Sequence, residues 1–178
     1  MDFIILQIGS VILTIIGFIS WKNQKRCEEL SKISIEIATN ILSFIDFVEN
    51  DGIYHSLYIK SNNPDQYMKD SFDRIWYGEI FLELRRNLNK SIILSNIYFN
   101  KVIASKINSV IDKIKKFQIE IKVSQEQYIN AILAKDKYHK DFYYYKAFPL
   151  ENSPSFLKFI EYKEEINNLL SKFIVTRN

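Results

Sequence analysis

Residues 3–21 read FIILQIGSVILTIIGFISW, nineteen positions without a charge and with Gln7, Ser10, Thr14 and Ser20 as the polar interruptions. At a rise of about 1.5 Å per residue, a helix of this length covers roughly 28 Å, close to the ~30 Å hydrocarbon core of a bilayer. A helix satisfies its own backbone amides, which is what a segment surrounded by lipid must do. The stretch therefore predicts a single transmembrane anchor over residues 1–21, with Phe3, Ile4, Ile5, Leu6, Ile8, Val11, Ile12, Leu13, Ile15, Ile16, Phe18, Ile19 and Trp21 facing lipid. Trp21 falls where an interfacial aromatic belongs, and Lys22, Lys25 and Arg26 follow it, whereas the other end carries Asp2. Basic residues stay on the cytoplasmic side, so the expected orientation is N-out and C-in.

A cleaved signal peptide is the competing reading. It calls for a positive n-region, a shorter apolar core and a small-residue cleavage site. Met1-Asp2 and Ile19-Ser20-Trp21-Lys22 supply none of these, and a retained anchor is the preferred reading. Ser10, Thr14 and Gly17 share one helical face on which a second span has room to approach.

Residues 22–178 then form one cytosolic domain, long enough to bury a core. Hydrophobic residues make up 47% of the chain and aromatic residues 15%, which excludes a disordered tail. The net charge of +3 demands neither a nucleic acid nor an acidic partner. The lone Cys27 excludes an intramolecular disulfide and a cysteine zinc site.

Helical periodicity dominates. Leu30, Ile33, Ile37, Ile41, Phe44 and Val48 continue the anchor as one helix to the break at Asn50-Asp51-Gly52. Pro64 opens a second helix with Tyr67, Met68, Phe72, Ile75 and Trp76 on its buried side, and Gly78 ends or kinks it. Residues 79–148 contain neither Gly nor Pro, and as one helix they would extend about 105 Å, so they must fold back. The expected turns are at residues 87–91, at Ser95-Asn96 and near Ser124, where Ser124-Gln125-Glu126-Gln127 has the form of a capping box. Val102 or Ile103, Ile107, Val110 or Ile111, Ile114, Phe117 and Ile121 mark the clearest helix; Tyr128, Ile132, Leu133, Tyr138 and Phe142 extend its pattern, and a last helix starts at Ser153-Pro154. The fold class is all-α: an N-terminal span followed by a bundle of four to six helices.

The sequence assigns no chemistry to this bundle. His55 and His139 are the two near-neutral titrating groups. Asp136 and His139 share an i, i+3 spacing, but a metal needs three or four converging ligands and the neighbouring lysines oppose it. Glu79, Glu83 and Arg86 are spaced to form a carboxylate pair with a cation, as solvated helices commonly do. No Gly-rich phosphate loop, nucleophile elbow or His-Glu-x-x-His motif occurs, so no catalytic residue, cofactor or metal is assigned. Residues 85–122 hold nine cations against two acids, a basic stretch that reads first as an ordinary solvated helix face and second as a surface for anionic headgroups or an acidic partner.

Phe142, Tyr143, Tyr144, Tyr145 and Phe148 put five aromatic residues into seven positions, more than one buried helical face accepts. They read as an interface for a protein partner or a second copy, ahead of a core and well ahead of base stacking on nucleic acid. The functional expectation is a non-enzymatic interaction, scaffold or sensor module, tethered to membrane lipid on the cytoplasmic face of a bacterial inner membrane. An oligomerising membrane effector of a defence or toxin system is the runner-up, and an enzyme comes third.

Overall fold

The computed structural model describes the backbone of residues 2–50, 64–147 and 154–174, with the side chains of residues 13–50, 69–144, 146–147 and 157–174. All regular structure in these residues is helical: α1 (Asp2–Phe47), α2 (Pro64–Tyr77), α3 (Glu79–Tyr98), α4 (Lys101–Leu133), α5 (Lys137–Ala147), α6 (Pro154–Leu170) and a 3-10 turn (Ser171–Phe173).

α4 is the axis. Its 33 residues span about 50 Å, and Ile107, Val110, Ile111, Ile114, Phe117 and Ile121 are all buried along one stripe, as the periodicity requires. Asn100 caps it, the side-chain oxygen accepting the Ile103 N–H at 3.0 Å. α3 lies antiparallel to α4, fixed by Lys115 Nζ to Asn89 Oδ1 at 2.9 Å and Ser95 Oγ to Asn108 Oδ1 at 2.9 Å. α6 lies antiparallel to it on another side, with Phe159 stacked edge-on to Phe117 at 4.9 Å and Lys113 paired to Glu165 at 3.0 Å. α2 continues the line of α3, and α5 the line of α6, along the upper half of α4: Trp76 meets Gln125, and Tyr144 meets Tyr128.

α1 completes a four-helix layer in the lower half. Asn40 donates to Ser91 Oγ at 3.2 Å and Lys90 pairs with Glu36 at 2.6 Å, while Phe81 at the start of α3 lies against Phe44 and Phe47 at the end of α1, so α1 and α3 run in opposite directions. Lys163 of α6 bridges Asp46 at 2.7 Å and Glu49 at 2.6 Å. Ile37, Ile41, Phe44, Ile45 and Val48 are buried against these neighbours. Phe81, at the α2–α3 junction, has its ring 5.4 Å from Trp76 and 6.0 Å from both Phe44 and Phe47. Gly78 makes that junction, because a Cβ there would fall on the carbonyl oxygen of Arg74.

Three expected turns are corrected. Residues 87–91 and Ser95-Asn96 are helical; Ser91 and Ser95 are buried and turn their hydroxyls to α1 and α4, and the break comes at Phe99-Asn100. α4 runs on through Ser124, since Gln125 points inward and is more useful as a buried bridge than as a cap partner. The chain reverses instead after Leu133, where Lys135 takes a left-handed conformation at φ 56° and Asp136 starts α5.

The helix α1 continues the first stretch into the bundle, as expected. Among the described residues, no helix is long and apolar enough to cross a membrane. The apolar part of α1 with described side chains is residues 13–21, about 14 Å of helix and roughly half a hydrocarbon core. The remainder of the expected span, residues 3–12 with Ser10 among them, lies outside the described side chains, as do His55, Tyr145 and Phe148.

Candidate functional site

The two ends of the molecule differ. At the lower end α1 leaves the bundle with Leu13 70% exposed and Ile15, Ile16, Phe18, Ile19 and Trp21 each more than half exposed. Successive helical residues turn by about 100°, so these six side chains point in all directions around the axis and leave no polar face. Trp21 lies against Phe18, with ring centroids 5.9 Å apart, and Lys25 Nζ sits 5.6 Å from the indole centroid. Lys22, Lys25 and Arg26 are exposed directly above this sleeve. A Cβ on Gly17 would meet nothing within 4 Å, so the Thr14 and Gly17 side of the helix has open space at that point.

At the upper end, α5 presents the aromatic run. Asp136 caps the helix: Oδ1 accepts the His139 N–H at 3.1 Å, and Oδ2 lies 2.7 Å from His139 Nδ1. The hydrogen bonds from His139 hold the Asp136 carboxyl below the usual carboxylate range. The i, i+3 pair is thus a helix start, and among the described residues no group of three or more His, Cys, Asp or Glu is placed to hold a metal ion. Tyr138 is 77% and Phe142 49% exposed. Phe142 packs edge-on to Tyr143 at 5.0 Å, Tyr143 stacks with His139 at 6.2 Å, and Lys146 Nζ lies 4.3 Å above the Phe142 ring. Tyr143 and Tyr144 are half-buried and packed against the core. Among the described rings of α5 the most exposed is that of Tyr138, which precedes Phe142 by four positions on the same face and lies outside the aromatic run read from the sequence.

The remaining sequence candidates have ordinary settings. Glu79, Glu83 and Arg86 are all exposed, and Arg86 Nε donates to Leu82 O at 3.3 Å. In the basic stretch, Lys90 and Lys113 are paired to Glu36 and Glu165, Lys115 is bonded to Asn89, and Lys122 sits 3.9 Å above the Tyr77 ring. An open groove of about 670 Å³ beside α4 mixes Lys101 and Lys116 with Asp112 and Asn108. Comparison with known protein families, curated proteins and solved structures finds no match to this chain.

Proposed function

We propose that this chain is a membrane-tethered helical interaction module. The first part of α1 crosses the bilayer N-out and C-in, and the bundle stands on the cytoplasmic face with the aromatic side of α5 turned toward a protein partner or a second copy. The observation that carries this reading is the all-round apolar exposure of residues 13–21 on a helix that is packed from Leu30 onward. A peripheral amphipathic helix would keep one polar face, and a core helix would be covered by protein. A helix apolar on every side and covered by neither suits lipid. The preceding residues 3–12 extend the same composition to full bilayer length.

The experiment is a topology assay. A reporter fused after Asn178 should be active in the cytoplasm, and protease added outside intact cells should leave residues 22–178 uncut. Activity of the reporter outside the cytoplasmic membrane would overturn the orientation.

A further inference from the structure

We infer that the α3–α4 corner, with Ile97 and Val102 at its tip and Lys101 and Lys172 beside them, rests on the anionic lipid surface in which α1 is anchored. The inference deepens the tether reading and rests on it. The corner lies at the end of the bundle from which α1 emerges: α3 descends along α1 from the Asn40–Ser91 contact, and Phe99 meets Phe173 at 4.9 Å just before α4 turns back up. Tyr98, next to the corner, lies beside Glu29 of α1, whose carboxylate raises the pKa of its phenol; Glu29 follows Arg26 by three residues.

This placement sets a height. Glu29 stands about 12 Å above Trp21 along α1, and the headgroup layer beyond the hydrocarbon is on the order of 5–8 Å thick. A span tilted by about 20° toward this side lowers the corner into that layer. The side chains suit such a contact. Ile97 and Val102 are each 66% exposed, a wasteful arrangement for a water-facing turn. Lys101 and Lys172 are exposed with them, and Lys22, Lys25 and Arg26 line the neighbouring stretch of α1. Against these five cations the same layer carries Glu28 and Glu29, the latter beside Tyr98. An apolar tip inside a basic rim matches an anionic bilayer, and the attraction should fade within a Debye length. Seated this way, the corner fixes the tilt and rotation of the bundle and so the direction in which α5 faces.

The test uses the full chain in a Cys27→Ser background, reconstituted into vesicles of phosphatidylcholine with or without phosphatidylglycerol and carrying spin-labelled lipid. An environment-sensitive dye is placed at Ile16→Cys, Val102→Cys or Tyr138→Cys. The dye at 102 should be quenched several-fold more than the dye at 138 in anionic vesicles. That difference should collapse in neutral vesicles, at high salt, and in the Lys101→Glu, Lys172→Glu double variant, whose melting temperature reports that the fold is kept. If position 16 is quenched by chain-labelled lipid while 102 behaves like 138, the span stands and the corner contact is refuted. A dye at 102 that is shielded yet unquenched means that protein, such as a second copy, covers the corner, which also refutes it. No quenching at 16 removes the span and the corner contact together.

Discussion

Trp76 Nε1 donates to Gln125 Oε1 at 2.7 Å, and Gln125 Nε2 in turn donates to Ala147 O at 3.2 Å, so one buried amide fastens α2 and the end of α5 to the upper half of α4. Trp76 is 1% and Gln125 2% exposed. Gln125→Leu keeps the volume but strands the indole N–H and a carbonyl, and it should cost about 1–3 kcal/mol in denaturant unfolding. Adding Trp76→Phe should recover part of the loss. A neutral Gln125→Leu would mean that water enters the joint freely.

Gly78→Ala should destabilise the protein by more than about 1 kcal/mol, because the new methyl meets the Arg74 carbonyl, a backbone atom that a rotamer change does not move. Thermal melting in detergent micelles checks this. An unchanged melting temperature would show that the α2–α3 kink relaxes without cost.

Lys163 supplies an alkaline limb. Burial pushes its ammonium down, but the hydrogen bonds to Asp46 and Glu49 outweigh that and raise its pKa above the ordinary lysine value. The stabilisation is then fully present below about pH 10.4 and is lost as pH rises through the higher folded value. Lys163→Met should lower stability by on the order of 1 kcal/mol at neutral pH, with the difference from the parent narrowing above pH 10.5 or so. Burial raises the Tyr128 phenol in both proteins alike, so the difference between them isolates the lysine.

Asp136 gives the acid limb. Its carboxyl is held low by His139, so its contribution is present above the ordinary Asp value of about 3.9 and disappears as pH falls through the lower folded one. Hydrogen exchange should show α5 losing protection below pH 4 before α4 does. Asp136→Asn keeps a capping oxygen and should flatten this response.

On α5, Tyr138→Ser and Phe142→Ser should weaken partner binding or self-association with little change in melting temperature. Tyr144→Ser should cost about 1–3 kcal/mol, since its ring packs 5.7 Å from the buried Tyr128. Equal destabilisation in all three, with association following the folded fraction, would make the run a core element and remove the interface.

Particular residues show what the sequence reveals of this fold. The stripe from Ile107 to Ile121 was legible because apolar spacing alone fixes which side of a helix is buried, and Pro64 and Pro154 mark helix starts in the structure as in the sequence. The breaks around α4 were not legible. Neither contains Gly or Pro; one relies on Asn100 as a cap and the other on Lys135 in the left-handed region followed by Asp136. Asn and Asp immediately before a periodic run were the available signals. Ser124 to Gln127 misled because a capping pattern is local, whereas the burial of Gln125 is decided by Trp76, 49 residues away in the chain. The aromatic helix was found by composition, but which of its rings face outward depends on how α5 folds back on α4.

The tether is tested most directly by alkaline carbonate extraction of membranes from cells that express the intact chain. The parent protein should stay with the membrane pellet. Leu13→Asp, which puts a charge near the centre of the apolar stretch at a cost of about 2.5–3.5 kcal/mol, should shift it toward the soluble fraction. Quantitative release of the parent protein by carbonate would contradict the account.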